Sequence, residues 1–535
     1  MRSPFLPSAL SLLLLAPAWA QNQDAAQDQQ YEKAIADLEK RAAELEARLQ
    51  TARAGGLRAI KVNGVELSPL HVWRELIHLL GTRQVQARID DFFVEEWKEE
   101  AIRSGRDPKE FELDEAKVAE KLGNDLKEFQ LKNPGVPFWE AVRAITKMTK
   151  EAYLHQYRQT ELFNKVFFPG PAKNWPDITR EAIMASAADN NGQQFWENIE
   201  RTSVDENGNP RELPPFWMML CRQWVTKQLK KWCDIRYPSD GLPVDVALSV
   251  NGREWKTAEA FETVRPGLYQ QDVEQATLEV VVREALRQAL VEAGCWLSDE
   301  EFRKEFDDYR QEYDNTPFTT EVIAVNFKGY PSLEAFRQRW RLIRSFERLI
   351  AKDINDDNLQ AHAERFKAFF GEGTVSVDAI QFYARDLKTS AWLPDGMAKA
   401  QQRAAAAFAA IQAGANFDDV HAQQGEYYST DNDKGRFNAK PYNQLRQLMR
   451  ENEFTDVLIG FSAAHYAFYD APVGKVVGPL PGPDAYWVIR VNARTPSRAV
   501  PSVSDPRTRE LVKQDYIAWR FLQWANEVVA KATVE

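Results

Sequence analysis

The chain has 535 residues, enough for two to four domains that each bury a core. It is 44% hydrophobic and 27% charged, with a net charge of −11 and no long basic run. That balance fits a soluble globular chain and argues against nucleic acid or an anionic lipid surface as partner.

Residues 1–20 have the form of a cleaved signal peptide: Arg2, the apolar run Leu10 to Leu15, then Ala18-Trp19-Ala20. The apolar run is shorter than the roughly 20 residues a bilayer span needs, and no later segment is apolar enough to span. No cysteine follows it for a lipid anchor. An uncleaved tether is the competing reading. The mature protein is expected in the periplasm or secreted.

In 21–56, Tyr31, Ile35, Leu38, Ala42, Leu45, Leu49 and Ala52 alternate spacings of four and three, the seam of a short coiled coil. Residues 31–52 either self-associate or form one charged helix lying on the protein body; Gly55-Gly56 ends the segment.

A duplication follows. Val62-Asn63-Gly64 and Val250-Asn251-Gly252 each predict a tight hairpin. Each is followed by a long helix, about Ile89 to Ser104 and Val273 to Gly294. Each helix leads to an acidic helix start, Leu113-Asp114-Glu115 and Leu297 to Glu301. Ser298 and Glu301 fit a capping box. Both units close on an amphipathic helix, one carrying Tyr153 to Val166 and one carrying Trp340 to Ile350. The modules are 57–245 and 246–373, and 170–245 reads as partly irregular, with an aromatic-rich helix from Phe216 to Ile235.

From Thr374 the pattern changes. Val375 to Tyr383 reads as a strand, Asp395 to Gly414 as an alanine-rich helix, Gly425 to Gly435 as a loop and Tyr442 to Ala464 as helix. Val473 to Leu480 and Tyr486 to Val491 read as closing strands, and 503–533 holds a final amphipathic helix. The fold class expected is α+β, predominantly helical: two helical modules, a small antiparallel sheet with helices, and a C-terminal helix.

Three cysteines, Cys221, Cys233 and Cys295, make no disulfide framework and are expected as buried thiols, with pairing of Cys295 to either of the others as the alternative. Sixteen tryptophans suggest aromatic surface for varied partners. Candidates are Trp73, Trp97, Phe138, Trp139, Phe216, Trp217, Trp224 and Trp232; the competing reading of each is core.

The order of pieces in 374–497 resembles the parvulin (PpiC-type) peptidyl-prolyl isomerase domain. Those pieces are the opening strand, Ala404 to Ile411 with Ala413 to Val420, and Tyr428-Ser429-Thr430-Asp431 with Lys434-Gly435. Phe468 then precedes Val473 to Pro479, and Ala485 to Val491 closes. The Val-Asn-Gly openings with their helices resemble the N-terminal module of SurA-like periplasmic chaperones, in which a C-terminal helix packs back on that module. The resemblance implies a chaperone for unfolded or nascent exported polypeptides, without a cofactor or metal.

It also implies a site of two histidines and an acid or thiol beside a proline pocket. The histidine positions fall on Ala379 and Trp487, and the acid position on Asp431. Phe461, Phe468, Tyr486 and Trp487 are the implied substrate-binding residues. With both imidazoles replaced, weak or no isomerase activity is expected; Asp431 is either a remnant acid or a turn cap. An active isomerase with an altered site and a non-enzymatic coiled-coil scaffold are the alternatives. Metal-ligand spacings, a nucleophile elbow, a phosphate loop and a dinucleotide fingerprint do not occur.

Overall fold

The computed structural model describes residues 59–146, 148–186, 191–207, 209, 211, 213–268, 270–314, 320–327, 330–371, 373–388, 393, 396–428, 433–441, 473–481, 485–495 and 502–535. The expected signal peptide and the 31–52 seam lie outside them. The fold is mostly helical with small antiparallel sheets. Packing divides it into one unit of 1–75 with 269–535, and a second of 76–268.

The first unit opens with strands β1 (Ile60–Val62) and β2 (Val65–Leu67), paired antiparallel, and with the first part of helix α1 (Pro69–Leu80), up to Glu75. The hairpin turn has φ of 47° at Asn63 and 82° at Gly64. Two left-handed residues give the turn whose twist matches paired strands, and Asn-Gly tolerates it best.

The second unit runs through α2 (Thr82–Arg103), α3 (Glu115–Lys132), α4 (Phe138–Thr146), α5 (Lys150–Phe167), α6 (Asp177–Ser186), α7 (Gly192–Thr202) and α8 (Pro215–Trp232). Strands β3 (Ile235–Arg236), β4 (Val246–Val250) and β5 (Arg253–Lys256) and helix α9 (Thr257–Val264) complete it. Asp114 caps α3 through the amides of Ala116 and Lys117, and Thr149 caps α5 through Ala152. The β4–β5 turn repeats the first, with φ of 49° at Asn251 and 78° at Gly252. The stretch 170–245 is more regular than its sequence suggests. Helix α7 buries only Trp196 and Ile199, and α6 only Thr179, Ala182 and Ile183. Each apolar stripe spans barely one turn, too short to stand out as a period.

The first unit resumes with α10 (Gln270–Glu292), α11 (Asp299–Asp314), α12 (Leu333–Leu349) and α13 (Asp356–Arg365). The capping box at α11 is present: Ser298 N–H donates to Glu301 Oε2 at 2.8 Å and Glu301 N–H to Ser298 Oγ at 3.2 Å. Then come β6 (Thr374–Tyr383), α14 (Gly396–Gln412), α15 (Phe417–Gln424), β7 (Arg436–Pro441), β8 (Val476–Pro481), β9 (Ala485–Thr495) and α16 (Pro506–Lys531).

One core joins β1 and β2 to α10, α12, α13 and α16, through Val62, Leu286, Leu290, Phe346, Leu359, Tyr516 and Phe521. The division by packing therefore falls at other points than the sequence modules 57–245 and 246–373. Hairpin β1–β2 packs beside α10 and the chain's C-terminus, whereas β4–β5 packs with α9 and α2. Among the described residues no helix is long and apolar enough to cross a membrane.

Candidate functional site

The four-stranded sheet has the order β7-β6-β9-β8, all antiparallel. Its two faces are set by strand alternation. One face, with Ile380, Phe382, Tyr486 and Val488, is covered by Met397, Ala400, Ala404 and Ala407 of α14 and by Phe417 and Val420 of α15. Alanines on α14 let the helix approach the sheet closely. The other face carries Val377, Ala379, Tyr383, Trp487 and Ile489, with Tyr428 packed on it.

Ala379 stands opposite Ile489, and Gln381 opposite Trp487. Ala379 and Trp487 thus lie diagonally across adjacent strands on one face, and both are buried. Trp487 Nε1 has no hydrogen-bond partner among the described residues. Tyr486 is not beside them: as the strand neighbour of Trp487 it turns to the opposite face, under α14. Asp431, Phe461 and Phe468 lie outside the described residues.

Around Ala379 the backbone is clamped. Its N–H donates to Gly435 O at 2.7 Å, and its carbonyl accepts the Tyr427 hydroxyl at 3.2 Å. Gly435 has φ of 74°, and a Cβ there would collide with Ala379 O. Two residues along, the Tyr383 hydroxyl donates to Gln381 Oε1 at 2.6 Å, and the Tyr428 ring meets Tyr383 edge-on at 4.8 Å. Glu426 accepts from Tyr383 N–H at 2.6 Å and pairs with Arg403 Nε at 2.9 Å. These tyrosines and Gln381 were not foreseen as site residues. The signal for Gln381 and Tyr383 is parity alone, since odd positions of β6 share a face with Ala379; Tyr427 and Tyr428 follow α15 outside any strand, where no period marks them.

The helix-covered face carries an ion cluster. Arg490 Nη2 meets Asp378 Oδ2 at 2.6 Å and Asp418 Oδ1 at 3.1 Å, and Arg436 meets Asp418 at 2.9 Å. The guanidinium of Arg490 lies 4.3 Å over the Phe417 ring. Hydrogen bonds from Arg490 and Arg436 hold the Asp418 carboxyl below its usual range. Beside them His421 is buried against Tyr427, ring centroids 5.4 Å apart. Burial, then the Arg436 charge, lowers its pKa, so the ring is neutral at pH 7. It sits on α15, on the other side of the sheet from Trp487. The Ala379–Trp487 face therefore offers apolar contact, the Trp487 indole N–H and the hydrogen-bonded Tyr383–Gln381 pair, with no histidine or carboxylate among the described residues of its cluster.

No family model matches the chain, and no curated protein does. Some solved structures are similar in part. Peptidylprolyl isomerase PrsA from Bacillus anthracis is 12% identical, with 46% of this chain and 94% of that chain covered and a TM-score of 0.19. PrsA from Bacillus cereus is 15% identical over 53% and 91%, with a TM-score of 0.19. Foldase protein PrsA from Streptococcus pneumoniae is 13% identical over 52% and 92%, with a TM-score of 0.21. Likeness at these scores carries no argument about fold or activity.

None of the eight aromatic residues singled out in the sequence is fully buried. Phe216 and Trp232 are exposed at 61% and 47%, and the other six are half-buried. In the second unit, Phe138 meets Phe129, Trp139 and Tyr153 at 5.2, 4.9 and 5.8 Å. A separate group joins Phe195 to Trp217 and Trp224 at 5.1 and 4.8 Å, with Met219 exposed on the same helix. Half-exposed rings in contact give large apolar area at little side-chain entropy cost on binding. All three cysteines are free. Cys221 and Cys233 are buried, and burial pushes the Cys221 thiol up to about 12. Cys295 is half-exposed, not buried as expected, because it follows Gly294 just beyond the end of α10. Among the described residues no group of three metal-ligating side chains exists.

Proposed function

We propose that this chain is an extracytoplasmic chaperone that binds unfolded exported polypeptides, and that its parvulin-like domain, residues 374–497, has weak or no isomerase activity. The observation that carries the reading is the placement of Ala379 and Trp487, diagonal across adjacent strands, on one face of a four-stranded antiparallel sheet with helices on the other. That is the architecture the parvulin resemblance implies, with an alanine and an indole at the two positions where the family has histidines. Lowering the prolyl rotation barrier of about 18–20 kcal/mol requires groups that act on the amide, and neither side chain can shuttle a proton.

Support for client binding comes from the half-exposed aromatic groups of the second unit and from the two hairpins with one turn geometry. The latter fits a duplicated SurA-like module, 57–245 and 246–373, with the helix of 503–533 as its closing piece. The segment 1–20 is read as the export signal. An acidic surface around apolar contacts would keep a loaded complex soluble.

Two measurements test the reading. At equimolar ratio the protein slows aggregation of an unfolded exported β-barrel polypeptide; no suppression rejects the chaperone. In a proline-peptide isomerisation assay the rate stays near the uncatalysed one; catalysis that disappears on Asp431→Ala rejects the degenerate site and favours an altered, working one.

A further inference from the structure

The chain ends as a strand. Val534 pairs antiparallel with Val62. Lys61 N–H donates to Glu535 O and Glu535 N–H to Lys61 O, both at 2.9 Å, and Asn63 N–H donates to Thr533 O at 2.8 Å. Thr533 N–H donates to Asn63 Oδ1 at 2.8 Å. The three residues Thr533 to Glu535 thus cover the outer edge of β1, and Val534 enters the same core as Val62. The inner edge of β1 is already paired with β2, and Val62 O also accepts from Gln288 Nε2 at 3.1 Å.

This edge reads backbone. Three of the five hydrogen bonds join main chain to main chain, so they are indifferent to the sequence of the guest. On the side chains, the resident segment supplies an aliphatic residue at Val534 and a hydroxyl at Thr533, whose Oγ1 donates to Asn63 Oδ1 at 3.3 Å. The guest is short and separated from α16 only by Ala532. A strand edge with its own donors and acceptors is a template for any extended segment that reaches it.

We propose that the β1 edge, Lys61 to Asn63, is a strand-acceptor site for client polypeptide, kept covered by the chain's own last three residues until an extended client segment with an aliphatic side chain displaces them. The inference rests on the chaperone reading for the identity of the guest. The occupant seen here fixes its chemistry: an extended backbone with one aliphatic side chain, preceded by a small hydroxyl residue that reaches Asn63. A client unfolded from a β-rich fold supplies such segments along its length.

The test compares the full chain with a chain ending at Ala532. The probes are an acetylated peptide of residues 530–535, the same peptide N-methylated at its last residue, and an unfolded β-barrel polypeptide. Hydrogen exchange at the Lys61 and Asn63 amides is slow in the full chain and fast in the truncated one. The peptide binds the truncated chain at least tenfold more tightly than the full chain and restores slow exchange; the methylated peptide does neither. The unfolded polypeptide competes with the peptide and binds the truncated chain several-fold more tightly. Should truncation unfold the protein, Val534→Asp in the full chain empties the aliphatic socket and gives the same several-fold gain in client binding. Equal client affinity for wild type and variant, with aggregation still suppressed, overturns the inference and leaves the chaperone reading standing. Peptide binding with no client binding at any site overturns the chaperone reading instead.

Discussion

Asp378 shows how one residue serves the sheet rather than the site. It is 4% exposed, on the helix-covered side of β6, and pairs with Arg490 across the strand. Removing it with Asp378→Ala leaves the Arg490 charge partly uncompensated in a poorly solvated place, although Asp418 still holds it. A cost of about 2 kcal/mol is expected for such a loss, read as roughly 30-fold faster hydrogen exchange of the β6 and β9 amides. His155 makes a second residue-scale case. Its Nε2 lies 3.2 Å from Asp91 Oδ2, and that hydrogen bond raises its pKa above 6.5. A raised folded-state value means the pair's stabilisation is complete below the unfolded pKa and fades as pH rises through the folded one. In urea unfolding the wild type should therefore exceed His155→Gln at pH 5.5, and the gap should close by pH 8.5. Neither pair is legible in the sequence, because the partners are 112 and 64 residues apart in the chain. Ala379 and Trp487 were marked by the family resemblance, and strand alternation is what sets both on one face of the sheet.

Turns and caps were the most legible elements, for the reason that their chemistry is local. Both Asn-Gly turns, the Asp114 cap and the Ser298–Glu301 box were readable within four residues of sequence. Helices α6 and α7 were missed since each buries only two or three residues, and the tertiary packing that stabilises them leaves little mark in the local pattern. Gly435 combines both kinds of constraint. Its φ of 74° is local, but the collision of any Cβ with Ala379 O is tertiary. Gly435→Ala should therefore loosen β6 where it meets the loop, with fast exchange at the Ala379 amide. Gly414→Ala is the control: its φ of 102° is as strained, yet a Cβ there meets nothing within 4 Å. It should cost about 1 kcal/mol and leave the Ala379 amide protected.

On the scale of the whole molecule, the first unit is assembled from both ends of the described chain. Strands β1 and β2 enter one core with α10, α12 and α13 from the middle and α16 from the end. Helix α16 alone contributes Val512, Tyr516, Ile517, Phe521 and Ala525 to it, all buried. Each large apolar side chain fully buried is worth about 1.5–3 kcal/mol, so four of them supply roughly 6–12 kcal/mol. That matches the entire stability of a typical domain, about 5–15 kcal/mol. The four-stranded sheet takes none of its core from α16, for its two clusters are built wholly from residues 375–491. Ending the chain at residue 500 should thus unfold the helical core of the first unit and spare the sheet. The single substitution Phe521→Ala isolates the effect. Its ring is fully buried and meets Phe346 edge-on at 5.3 Å. A loss of about 3–5 kcal/mol is expected, and hydrogen exchange should report it in α10, α12 and α16 while the β6 and β9 amides stay protected. Equal loss of protection in the sheet would mean that helices and sheet unfold as one cooperative body.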